Sequence, residues 1–135
     1  LFSSKLNQHN LKYTQKIKKE LINNIIIHNK NKIIISKLDL SPKEIKNITF
    51  EISKTIDNVI IIIGSEFSSK SYISVYISKK IIQKFNLSAT EIINKLSHFI
   101  DGRGGGQNFY ASAGGNKLDG INKALSEARK IILTN

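Results

Sequence analysis

Val59-Ile60-Ile61-Ile62-Ile63, followed after a polar interval by Tyr72-Ile73-Ser74-Val75-Tyr76-Ile77-Ser78, decides how this chain folds. Five consecutive β-branched residues suit a strand buried on both faces. Gly64 and the polar stretch from Ser65 to Ser71 are expected to end it. The second run alternates instead. Ile73, Val75 and Ile77 point one way while Tyr72, Ser74, Tyr76 and Ser78 point the other, which marks a strand with one more polar face.

Upstream, Ser41-Pro42-Lys43-Glu44 places Ser at the N-cap, Pro at N1 and Glu at N3 of a helix whose apolar face is Ile45, Ile48, Ile52 and Ile56. Ile25 to Ile27 and Ile33 to Ile35 read as two short strands joined by the polar turn His28 to Lys32. Before them, Leu6, Tyr13, Ile17 and Leu21 form a thin apolar stripe. A thin stripe suits a linker helix over residues 1–22 that continues from upstream chain, with the domain proper over 23–135. Downstream, a short segment through Phe85 leads to Ser88-Ala89-Thr90-Glu91, a second expected capping box, and to a helix burying Ile92, Ile93, Leu96 and Ile100. Leu118, Ile121, Leu125, Ala128 and Ile132 mark a closing helix with Asn116 as its N-cap. The order of elements implies an α/β fold, a mixed β-sheet packed with helices and preceded by the linker helix.

At 135 residues the chain suits one domain. It has no cysteine, so neither a disulfide framework nor a thiolate zinc site is available. The first residues lack a basic segment followed by an apolar one, and no apolar run approaches the roughly 18 residues that span a bilayer. A cytoplasmic protein without a membrane partner is expected. The absence of Met suggests a piece of a longer polypeptide. A formal charge of +11, from 21 basic and 10 acidic residues, favours nucleic acid as partner. The richness in Ile, Asn and Lys also fits an AT-rich genome, so the position of a cation informs more than the lysine count. Arg103 and Arg129 are the only arginines.

Catalytic constellations are missing. His9, His28 and His98 are scattered and have no helical zinc spacing, no GxSxG elbow is present, and acidic residues are too sparse to suggest a two-metal site. No catalytic residue and no metal ligand is assigned. The distinctive feature is Asp101-Gly102-Arg103-Gly104-Gly105-Gly106-Gln107-Asn108-Phe109-Tyr110-Ala111-Ser112-Ala113-Gly114-Gly115. It fits neither a P-loop nor a dinucleotide fingerprint. One reading is a tight turn; the other is an anion-binding nest of backbone N–H groups beside the Arg103 guanidinium. An arginine inside the run, in a chain that otherwise avoids arginine, favours the nest. Of Phe109 and Tyr110, which alternate in facing, one belongs to the core while the other is free to stack on a base.

Gly102-Arg103-Gly104-Gly105-Gly106, the spacer to Ala111-x-Ala113-Gly114-Gly115 and the closing helix resemble the C-terminal, DHH-associated domain of bacterial alanyl-tRNA synthetases. The resemblance runs over roughly Asn23 to Asn135. It implies a non-catalytic tRNA-binding domain that contacts the outer corner of the tRNA, suspected to be tRNA-Ala, and links aminoacylation to editing. ATP, magnesium and zinc would belong only to the upstream catalytic and editing domains. Nucleic-acid contacts are then assigned to Arg103, Gly104, Gly105, Gly106, Gln107, Tyr110 and Lys117. Gln107 and Asn108 stand where the family often has a basic residue and proline, which removes a charged phosphate contact at 107. The same domain type accompanies DHH phosphoesterases acting on short or single-stranded nucleic acid, where a histidine commonly follows the glycines. That gives the alternative function. A second copy docked through the N-terminal helix is a further expected partner.

Overall fold

The five-residue run at Val59 becomes the third of six strands in the computed structural model, which describes the backbone of residues 2–134 and the side chains of residues 12–134. The side chains of Leu6 and His9 lie outside the described residues. In chain order the elements are α1 (Phe2–Asn23), β1 (Ile26–His28), β2 (Asn31–Leu38), α2 (Pro42–Thr55), β3 (Val59–Phe67), β4 (Lys70–Ile77), α3 (Lys79–Phe85) and α4 (Ala89–Leu96). A 3-10 turn at Ser97–Ile100, β5 (Arg103–Gly106), β6 (Tyr110–Gly115), a 3-10 turn at Leu118–Gly120 and α5 (Ile121–Leu133) complete it. The sheet order is β1-β2-β3-β4-β6-β5. Only β2 and β3 are parallel, because α2 carries the chain back between them; the other neighbours are antiparallel. The mixed α/β sheet expected from the sequence is present.

Alternation along β3 feeds two separate cores. Val59, Ile61 and Ile63 join Ile34 against Ile45, Ile48 and Ile52 of α2 and against Ile17 and Leu21 of α1. Ile60 and Ile62 join Ile73, Val75, Ile77, Ala111 and Ala113 against α4 and α5. Each buried isoleucine contributes about 1.5–3 kcal/mol relative to exposure, so one strand anchors both layers.

Several boundaries differ from the sequence reading, each for a local reason. β3 does not stop at Gly64 but runs to Phe67. Gly64 lies beneath α5, where a Cβ would come within 2.6 Å of Ile121 Cγ2, so here glycine is a packing requirement and not a strand end. The turn that follows is Ser68-Ser69, both at positive φ, a hairpin geometry usually signalled by Asn or Gly. The segment before Phe85 is helical. Ser88 does not close a second capping box: its side chain makes no cap bond, and the helix start is held by the Ala89 N–H donating to Asn108 O (2.9 Å) and Thr90 Oγ1 donating to Gln107 O (3.0 Å). Nor is Asn116 an N-cap; α5 begins at Ile121 behind the 3-10 turn. The capping box at Ser41 and Glu44 is formed on both sides.

Gly120 sits where that turn meets the end of α4's extension, and a Cβ there would lie 1.7 Å from the Phe99 carbonyl oxygen. The obstacle is backbone, which cannot rotate away. Gly120→Ala should therefore destabilise the fold by about 2–3 kcal/mol or more, against about 1 kcal/mol for Ser41→Ala, which removes only a cap. Urea unfolding of both variants checks the ranking; equal losses would show that the turn relaxes freely.

Candidate nucleic-acid interface

The glycine run is not a nest. Arg103–Gly106 is the outermost strand, β5, hydrogen-bonded to β6 with Arg103 opposite Gly114 and Gly105 opposite Ser112. Among its glycines only Gly106 has positive φ, 152°, whereas a nest alternates left- and right-handed residues. The run is an extended edge strand whose outer N–H and C=O groups face away from the sheet.

Steric surroundings divide its three central glycines. A Cβ on Gly104 would lie 2.2 Å from the Ser112 carbonyl oxygen, and one on Gly106 2.4 Å from that of Tyr110, so close approach of β5 to β6 requires both. A Cβ on Gly105 would meet nothing within 4 Å. Internal packing therefore accounts for two of the three.

Register then builds a surface from three cross-strand rows on the α2 side of the sheet. Tyr72, Gly114 and Arg103 form the first row across β4, β6 and β5; Ser74, Ser112 and Gly105 form the second; Tyr76 and Tyr110 form the third. The opposite side of the same strands carries Ile73, Val75, Ala111 and Ala113 and is buried. α2 packs over β3 and β4 and touches β6 through Phe50 and Lys46 against Tyr110, leaving the rest of the β6–β5 end of its face uncovered. Between the α2 N-terminal turn and these rows lies a cavity of about 290 Å³ lined by Pro42, Ile45, Lys46, Tyr72, Ser74, Tyr110 and Ser112, with Lys43 at its edge. Tyr72 also lines a more open depression with Lys70, Asp101, Arg103 and Asn116. Among the described residues no ion pair engages Lys43, Lys46, Lys70 or Arg103. Their charge faces solvent.

Tyr110 is half-buried. Its ring is tilted against Phe50 with centroids 5.2 Å apart, and Lys46 Nζ lies 5.8 Å from the ring centroid. Burial raises its phenol above the usual value of 10.0, and the neighbouring Ser74 hydroxyl lowers it in part. Ser74 Oγ nevertheless finds no partner at full hydrogen-bond geometry, so the Tyr110–Ser74 interaction is a polar approach and not a formed bond. Phe109 is 38% exposed at the hairpin tip, away from the cavity lining.

The expected contact residues fall into two groups. Arg103, Gly105 and Tyr110 share the open face, joined through Tyr72, and Gly104 and Gly106 hold the strand that carries them. Gln107 is exposed at the far end of β5, roughly 13 Å along the strand from Arg103, and its backbone is occupied by Tyr110 O and Thr90. Lys117 is exposed beyond the depression, with its N–H donated to Ile100 O at 3.1 Å. Sequence reasoning missed Tyr72, Lys43, Lys46 and Lys70. The alternation of β4 already set Tyr72 on its polar face beside Ser74; the pairing of β4 with β6, which makes that face a site, leaves no local signal. Among the described residues no group of three or more His, Cys, Asp and Glu is placed to hold a metal ion, and no helix is long and apolar enough to cross a membrane.

Six strands in this order, with helices on both faces and a glycine edge hairpin beside a basic open face, define the class of module. Residues 30–134 match the DHHA1 domain model, and the chain belongs to that family. It is homologous to the C-terminal domain of alanine–tRNA ligases. It is 41% identical over 96 residues to the alanine–tRNA ligase of Christiangramia forsetii, covering 71% of this chain and 11% of that one. The Cytophaga hutchinsonii ligase is 34% identical over 101 residues, covering 74% and 12%. The chain thus spans about a ninth of the length of the curated relatives it matches. The C-Ala domain of Aquifex aeolicus alanyl-tRNA synthetase shares the fold, with a TM-score of 0.70 at 21% identity over 83% of this chain and 99% of that one.

The raised phenol of Tyr110 has a consequence for stability. Below pH 10 it is neutral in both states; as pH rises past that value the unfolded chain ionises first, so the folded state loses stability through the interval up to the folded pKa. Tyr110→Phe cannot titrate. Its thermal midpoint should fall less steeply than that of the unsubstituted chain as pH rises past 10, and parallel curves would show the phenol to be as solvated as in the unfolded chain.

Proposed function

We propose that this chain is the tRNA-binding C-terminal domain of an alanine–tRNA ligase, non-catalytic by itself, which docks on the outer corner of the tRNA and holds one substrate for aminoacylation and editing. Activation with ATP and magnesium, and zinc-dependent editing, then belong to the catalytic and editing parts of the parent chain. tRNA-Ala is the intended partner, in the cytoplasm, and the N-terminal helix is the natural contact for upstream segments or a second copy. The observation that carries the reading is the open face itself: cations of separate elements, Lys43, Lys46, Lys70 and Arg103, border tyrosines and small residues on a rigid sheet. Basic side chains supply phosphate contacts while aromatic and small residues admit bases and sugar edges. Gly105 adds support, since nothing inside the protein needs it to be glycine.

Binding of intact tRNA, compared with an unstructured RNA of equal length, tests the proposal. Folded tRNA should win at moderate salt, because a corner made of paired loops is read by shape. Arg103→Ala should weaken tRNA binding by about 1–3 kcal/mol and flatten the salt dependence by about 0.7–0.9 in log–log slope. Arg129 is exposed on α5 and serves as the matched loss of charge. Gly105→Ala should leave urea stability unchanged or slightly raised while reducing tRNA affinity. A drop for Arg103→Ala no larger than that for Arg129→Ala, with Gly105→Ala silent, would move the binding surface elsewhere.

A further inference from the structure

The cavity beside α2 has a construction that backbone recognition of a folded RNA does not call for. Its floor is the second cross-strand row, Ser74 and Ser112, and tyrosines close its two ends. The Pro42–Lys46 turn of α2 forms one long side, and the other opens over Gly105. Flat edge recognition needs no recess, whereas this one is about 290 Å³, just below the roughly 300 Å³ at which small-ligand sites begin. That volume accommodates one ring system.

Two features specify the ligand's chemistry. Ser112 is exposed beside the buried Ser74 in the same row, and its hydroxyl is available to a guest above the floor. That hydroxyl can both donate to and accept from a polar-edged guest. The ends of the recess are aromatic, and Tyr72 lies flat enough over Gly114 that a Cβ there would come 3.3 Å from its ring. Tyr110 has one side taken by Phe50 and also lines the cavity. A planar heterocycle with donors and acceptors around its rim fits both demands. Lys43 and Lys46, one helical turn apart at the mouth, then meet the phosphate attached to that ring.

We propose that this cavity receives a single unstacked nucleobase, laid against Tyr72 above the Ser74–Ser112 floor, with its 5′-phosphate held between Lys43 and Lys46. It rests on the nucleic-acid reading above and makes it narrower: besides a folded surface, the domain captures one everted nucleotide. Ser112 is the gate residue. It is exposed on a strand face that accepts large side chains, so Ser112→Phe fills the recess without disturbing the core beneath.

The test is an amide-resolved NMR titration of the chain with the four ribonucleoside 5′-monophosphates, ribose 5-phosphate and inorganic phosphate. Saturable shifts at Lys46, Ser74 and Ser112 are expected with at least one nucleotide and not with the two sugar and phosphate controls. Ser112→Phe should weaken that nucleotide by roughly tenfold or more, and Arg129→Ala, exposed on α5 and outside the cavity lining, should change it by less than about twofold. If Ser112→Phe fails to fold, Tyr72→Leu, at a half-exposed position, must show the same loss. Absence of localised shifts, equal shifts with inorganic phosphate, or full nucleotide binding by the filled variant overturns the proposal. Intact tRNA measured in parallel separates the two readings: tRNA binding without nucleotide binding removes only the recess, and loss of both removes the nucleic-acid role.

Discussion

The double burial of β3 is the constraint from which the rest of the architecture follows. Val59, Ile61 and Ile63 must be covered on one side and Ile60 and Ile62 on the other, so the sheet cannot present a wet face at its centre. The parallel step from β2 to β3 needs a crossover, and α2 supplies both the connection and the cover. On the opposite face α4 and α5 extend across β4 and β6 as well. One helix with the end of α1 cannot match that span. The uncovered remainder is therefore fixed by topology, and it falls on the polar side of β4, β6 and β5.

What the sequence made legible follows the same division. Wherever periodicity meets a local stop signal, as at Ser41-Pro42-Lys43-Glu44 or along Val59 to Ile63, element and burial were readable, because the determinants lie within one turn or one strand. Signals failed where a residue answers to something distant. Gly64 reads as a strand end but answers to Ile121, and Ser88 reads as a cap although the hairpin turn at Gln107 and Asn108 does its work. The glycine run failed in a more instructive way. Composition allowed a nest, whereas pairing with β6 extends it into an edge strand, and only the register reveals that Arg103 shares a row with Tyr72. Strand pairing is a long-range property, so a site assembled across three strands has no contiguous motif.

The glycines also show why a run of one residue type is a poor unit of interpretation. Gly104 and Gly106 are accounted for by the β6 backbone, which would clash with any side chain there. Gly105 has no such account. Treating the run as either structural or functional would misassign one part of it, because alternate residues of a strand face different surroundings.

Positioning of the cations completes the argument from fold to site. Lys43 and Lys46 project from the first turns of α2, whose start is fixed by the reciprocal Ser41–Glu44 bonds. The segment just before it is fixed again by Ser65, whose hydroxyl donates to Leu40 O and accepts from Leu40 N–H. Ser65 is opposite Tyr72 in the sheet register. The same buried hydroxyl thus sets the approach of α2 to β3 and stands beside the aromatic wall of the recess. Charges carried on such elements have their backbone already fixed, in contrast to lysines on a mobile tail, so less order would have to be imposed on meeting a polyanion. A modest number of cations on a rigid rim can then outweigh the larger, scattered excess over the rest of this +11 chain.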